Sequence, residues 1–83
     1  GQARYGIIKA YINGDRFSEA VKLAETISDQ SERSALLNTI TQWAWRGGRY
    51  DLAYQVANRI PELGVRVLAW SEVAFATADA GQQ

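Results

Sequence analysis

Trp45 and Arg46 stand directly before a Gly47-Gly48 pair, the densest local grouping of residues suited to recognition. Tryptophan and arginine dominate binding energy where proteins meet, although the same two side chains could instead pack on a following helix. Asp29 with Arg33, and Glu62 with Arg66, twice place an acid four residues before an arginine. That spacing fits a surface ion pair that holds a turn and contributes little by itself, or else an arginine offered to a ligand. The carboxylates of Asp15, Glu19, Asp51 and Glu72 are the candidates for acid–base work. They scatter over expected capping and solvent-facing positions, and no nucleophile, base and orienting residue recur together. Gly47-Gly48 lacks the following lysine and the preceding strand of a phosphate loop. Histidine and cysteine are absent, which removes the commonest catalytic base, the commonest metal ligand and every disulfide. The expectation is a non-enzyme with no catalytic residue, no metal and no cofactor.

Length and composition narrow the class. Eighty-three residues allow one domain, or a piece of one, near the size where a single core is only just sufficient. An apolar fraction of 47% with 22% charge argues for a folded chain and against disorder. Nine basic residues balance nine acidic ones, so the broad positive field of a general nucleic-acid binder is missing. The most apolar run, residues 65–78, is interrupted by Arg66, Ser71 and Glu72 and reads as a buried helix rather than a membrane span. Methionine is absent and the chain opens at Gly1, so it reads as an excised or processed piece whose targeting signals lie elsewhere.

What must position the candidate residues is a repeat. GDRFSEAVKLAETI, residues 14–27, returns thirty-three residues later as GGRYDLAYQVANRI, residues 47–60. The offset aligns Arg16 with Arg49, Phe17 with Tyr50, Ala20 with Ala53, Ala24 with Ala57, and Ile7 with Ile40 and Val73. A period of this length marks a solenoid of short helical units. Residues 1–83 are therefore read as one repeat domain or fragment, with repeat 1 about 1–33, repeat 2 about 34–66 and a terminal helix about 65–79. The fold expected is all-α: a right-handed alpha-alpha superhelix of two and a half 33-residue hairpin repeats, five helices in all.

Helical spacing predicts the elements one by one. Residues 2–12 form the first helix on a stripe of Ala3, Ile7, Ala10 and Tyr11. Asp15 caps the second, which buries Phe17, Ala20, Val21, Ala24 and Ile27. Asp29 or Ser31 caps the third, about 32–46, with Leu36, Leu37, Ile40, Trp43 and Ala44 inward. Gly47 and Gly48 supply left-handed turn conformations. Tyr50, Ala53, Tyr54, Ala57 and Ile60 line the fourth helix, which Pro61 ends at Ile60. The fifth follows to about residue 79. The alanines at 20, 24, 53 and 57 let paired helices approach closely.

In these residues the chain resembles the tetratricopeptide repeat. Ile7 and Tyr11 take the places of its large packing residues; a glycine turn follows, then an aromatic three residues before an alanine, Phe17 with Ala20 and Tyr50 with Ala53. It departs from that pattern at Ile8, Thr41 and Ala74, where the family favours a small residue, and at Ala24 and Ala57, where it favours a large aromatic. The pentatricopeptide family, which binds single-stranded RNA, is the second relative. The first resemblance implies a concave groove along the first helix of each unit, receiving a protein, peptide or partner helix. On this chain the groove would hold Tyr5, Lys9, Asn13, Asn38, Gln42, Trp45, Arg46, Ser71 and Phe75. Trp43 and Trp70 fall on the core side. Three functions stay open: a protein-interaction or assembly module, a structural spacer or oligomerisation segment of a larger repeat protein, and a single-stranded RNA binder disfavoured by the neutral charge. Val65, Val67, Leu68, Trp70, Val73, Ala74 and Phe75 surround most of the fifth helix, which adds an expectation of self-association through it.

Overall fold

A computed structural model describes the backbone of residues 2–14 and 16–81, with side chains from residue 6 onward. Five helices and no strand are found among the described residues: α1 (Gln2–Asn13), α2 (Phe17–Glu25), α3 (Gln30–Arg46), α4 (Tyr50–Ala57) and α5 (Leu63–Gly81). α3 is central and packs against all four others. The core joins Ile8 of α1, Phe17, Ala20 and Ala24 of α2, Leu37, Ile40 and Ala44 of α3, Ala53, Val56 and Ala57 of α4, and Ala69 and Val73 of α5. Six of those residues are alanines, so close approach of helices replaces bulk as the source of burial.

The backbone bonds of the two hairpins match at the offset read from the sequence. Arg16 N donates to Tyr11 O at 2.7 Å and Arg49 N to Ala44 O at 2.9 Å; Ile27 N donates to Ala24 O at 3.2 Å and Ile60 N to Ala57 O at 3.1 Å. These last bonds span three residues, so each second helix tightens in its final turn. That explains why α4 ends at Ala57 while the apolar pattern runs on to Ile60: Ile27 and Ile60 lie in the turn yet are buried. α3 and α5 each begin two residues earlier than their apolar patterns.

The caps differ between helices. Asp29 caps α3, its carboxylate accepting from Ser31 N at 2.9 Å and Glu32 N at 3.4 Å. The cap position of α2 is Arg16, with no side-chain cap bond; the expected cap, Asp15, lies outside the described residues. Of the paired glycines only Gly48 is left-handed, at φ 82°, while Gly47 sits at −84°. The acid–arginine pairs also resolve differently from an ion pair. Arg33 Nη1 donates to Ile27 O at 2.7 Å and Arg66 Nη1 to Ile60 O at 3.2 Å. Each arginine ties the start of a helix to the carbonyl that ends the previous hairpin, where an unpaired acceptor would otherwise be left.

The inward stripe of α1 is rotated from the expected one. Ile7 is half exposed and Ala10 exposed, while Ile8 is fully buried with Tyr11 and Ile12 partly buried beside it. The equivalent positions give the reason. Ile40 and Thr41 are both buried in α3, and in α5 Val73 is buried while Ala74 is exposed. The position of Ile7, Ile40 and Val73 faces the preceding helices; that of Ile8, Thr41 and Ala74 faces the following ones. Only α3 has described neighbours on both sides.

Candidate functional site

A groove of about 690 Å³ opens where α3 ends, α4 begins and the C-terminal half of α5 passes. Trp45 and Arg46 come from the last turn of α3, Tyr50 from the first residue of α4, and Ser71, Glu72, Phe75, Ala76, Asp79 and Ala80 from α5. The Gly47-Gly48 turn makes this possible, because a left-handed Gly48 reverses the chain and returns Tyr50 to the same opening as Arg46. α5 then supplies six residues in steps of one and three, so their side chains share one side of the helix.

The walls are aromatic. Trp45 and Tyr50 are half-buried, Trp45 against the core, and Phe75 is 78% exposed, which is extreme for so large an apolar side chain. The Arg46 guanidinium carbon lies 5.5 Å from the centroid of a Trp45 ring, within cation–π range. The lining holds two carboxylates, Glu72 and Asp79, and one arginine. Trp45 Nε1 and Glu72 Oε1 are both buried without a hydrogen-bond partner, an arrangement that costs about 1–3 kcal/mol for each such group. Ser71 donates to Val67 O at 3.0 Å, so its proton is already used.

Of the residues the sequence nominated, Trp45, Arg46, Ser71 and Phe75 line this one groove. Asn38 and Gln42 lie further back on α3, half-buried, and Asn38 Oδ1 is buried without a partner. Lys9 and Asn13 are exposed on α1 and do not line the groove, and Tyr5 lies outside the described side chains. Trp43 and Trp70 pack against the core, and Trp70 Nε1 donates to Asn58 Oδ1 at 2.7 Å.

Five groove residues, Tyr50, Glu72, Ala76, Asp79 and Ala80, were not among those the sequence nominated. Tyr50 reads as core from its α4 stripe, whereas its place directly after the glycine turn was the usable signal. Glu72 looks like one more scattered carboxylate, yet it is next to Ser71 and three residues before Phe75, as the groove requires. Ala76 is too small to attract notice. A second, smaller depression of about 270 Å³ lies between α2 and α4, where Arg59 Nη1 donates to the Glu25 carboxylate at 2.9–3.0 Å. Its floor includes Val56, which is buried. Among the described residues no group of three or more acidic side chains could hold a metal ion, and no helix is long and apolar enough to cross a membrane. No protein-family model, curated protein or solved structure matches the chain.

Proposed function

We propose that the chain is a stack of tetratricopeptide-like helical hairpins, two and a half units forming a right-handed solenoid, and that it works as a non-catalytic interaction module. The groove between α3 and α5 holds a segment of another protein, a peptide or a helix. One observation carries this reading: Phe75, 78% exposed, shares a wide groove with half-buried Trp45 and Tyr50. Aromatic side chains gathered in one depression are what interfaces use as anchors. The stacked architecture is supported by the hydrogen bonds that recur at the repeat offset and by the alternation of backward-facing and forward-facing positions in α1, α3 and α5.

The lining also selects among partners. One arginine against two carboxylates favours a segment with an apolar side chain flanked by a basic one. The same carboxylates repel phosphate, which weighs against the RNA reading. A small turn of Trp45 or Glu72 would bring its unpartnered polar atom to the groove, where a peptide amide supplies both the acceptor and the donor.

A random-peptide display library panned on the protein tests the proposal. Enriched peptides should carry an apolar residue beside lysine or arginine. Trp45→Ala should weaken them by about 2 kcal/mol, roughly thirty-fold, with helical dichroism retained. Phe75→Ala, which removes an exposed side chain, should weaken them at least ten-fold. A library that yields no enrichment, or binders indifferent to both variants, overturns the reading.

A further inference from the structure

Charge is unevenly distributed in the groove between α3 and α5, which bears on the kind of side chain that a bound segment places there. Glu72, Phe75 and Asp79 lie three and four residues apart on α5, so they share one face, with the ring between two carboxylates. Phe75 stands roughly 4.5 Å of helical rise from one and 6 Å from the other. Its ring is largely bare, and Trp45 and Tyr50 line the same opening from α3 and α4. Arg46, the one cation of the lining, already lies 5.5 Å from a Trp45 ring centroid. Glu72 Oε1 is buried and accepts no hydrogen bond, from Arg46 or from any other described residue. The lining therefore carries one negative charge in excess, together with a buried acceptor that lacks a donor.

We propose that the groove receives a mono- or dimethylated lysine of the bound segment, its ammonium seated over Phe75 between Glu72 and Asp79. This rests on the groove reading and names the side chain that reading left open. Aromatic faces attract a cation within about 6 Å of the ring centroid, tryptophan most strongly, and a carboxylate one turn away on either side adds to the attraction. A purely apolar side chain would suit the rings but would close over Glu72 Oε1 without giving it a donor. A guanidinium brings five N–H donors in a rigid plane, more than one buried acceptor among aromatic rings can pair. An unmodified ammonium has three donors and a tightly held hydration shell, which ring faces do not replace. Methylation keeps the charge and exchanges donors for methyl groups that pack on the rings. The N–H that remains matches Glu72 Oε1, and a third methyl would remove it. At about 690 Å³ the groove also leaves room for the segment's backbone around that head group.

The probes are N-acetyl-lysine methylamide, its mono-, di- and trimethylated forms, and the norleucine equivalent as a neutral control. Each is titrated into the 15N-labelled chain, and the indole N–H signal of Trp45, identified by its loss in Trp45→Phe, reports binding. The dimethyl probe should bind roughly five-fold tighter than the unmodified one and about three-fold tighter than the trimethyl one, with no saturable shift from norleucine. Glu72→Gln should weaken the dimethyl probe about three-fold or more. Phe75→Leu, at an exposed position that keeps apolar bulk, should weaken it roughly five-fold, whereas Phe75→Tyr retains binding. Norleucine binding as tightly as dimethyllysine overturns the inference, as does indifference to Phe75→Leu or the absence of a shift with every probe. A display-selected peptide that depends on Trp45 and Phe75 yet binds equally with norleucine in place of its lysine keeps the groove reading and overturns this inference alone.

Discussion

Enlarging Ala53 is the sharpest test of how this fold is held together. Ala53 is wholly buried on α4, and its equivalent on α2, Ala20, is equally buried. Both belong to the cluster that joins the paired helices, where alanine sets the spacing. Ala53→Leu adds three carbons to a site with no exposure. Inserting bulk into a packed core costs about 1–3 kcal/mol. A chain of this size is stable by about 4–12 kcal/mol in total, at ~0.05–0.15 kcal/mol per residue. The substitution therefore removes a large share of that margin and should lower Tm by about 4–24 °C, at roughly 4–8 °C for each kcal/mol. Ala35→Leu is the matched control, because Ala35 is exposed on α3 and the same change there should stay within about 0.5 kcal/mol. Thermal unfolding followed by far-ultraviolet dichroism reads both. Coincident melts for Ala53→Leu and the parent, or equal losses for both variants, would refute the idea that helix spacing depends on alanine.

Two further outcomes probe the joints. Arg33→Met removes the 2.7 Å bond to Ile27 O and should cost about 1.5 kcal/mol or more, as a lower urea midpoint at unchanged slope; no shift would mean that the arginine is not part of the joint. Asp29→Ala removes the α3 cap and should cost about 1 kcal/mol while Asp29→Asn retains most of it, and equal effects of the two would show that charge rather than capping matters.

The helices were legible because apolar residues recur three and four apart, but the inward face so marked was displaced in α1, where Ile7 is half exposed, and included Tyr54 of α4, which is half exposed too. Gly47, Asp29 and Pro61 then limited their ends. Trp45, Arg46, Ser71 and Phe75 were legible as neighbours for the same reason, since helical phase on successive first helices brings equivalent residues together. What stayed hidden depends on which neighbour is present. Ile7 and Ile8 are both isoleucine, so composition cannot say which faces the following helix; only the location of α2 and α3 decides in favour of Ile8. Arg33 and Arg66 look like partners for the acids four residues before them, because backbone carbonyls leave no mark in a residue pattern. Val56 sits at a phase that looks outward for one helix, but the approach of α2 buries it.

Glu62 turns this architecture into a lever. Its backbone N–H donates to Ser34 and its carboxylate accepts from Ser31 at 2.9 Å, so the start of α5 is clasped to the first turns of α3. The groove lies at the opposite end, between Trp45 and Asp79. From Glu62 to Asp79 is about 25 Å of helix at ~1.5 Å per residue, so a swing of about 5° at the clasp moves the far wall by roughly 2 Å. A swing of that size would alter the groove's width from its far end. Trimming a hydroxyl at Ser31 or Ser34 would loosen the pivot and change how wide the mouth stands without touching any residue that lines it.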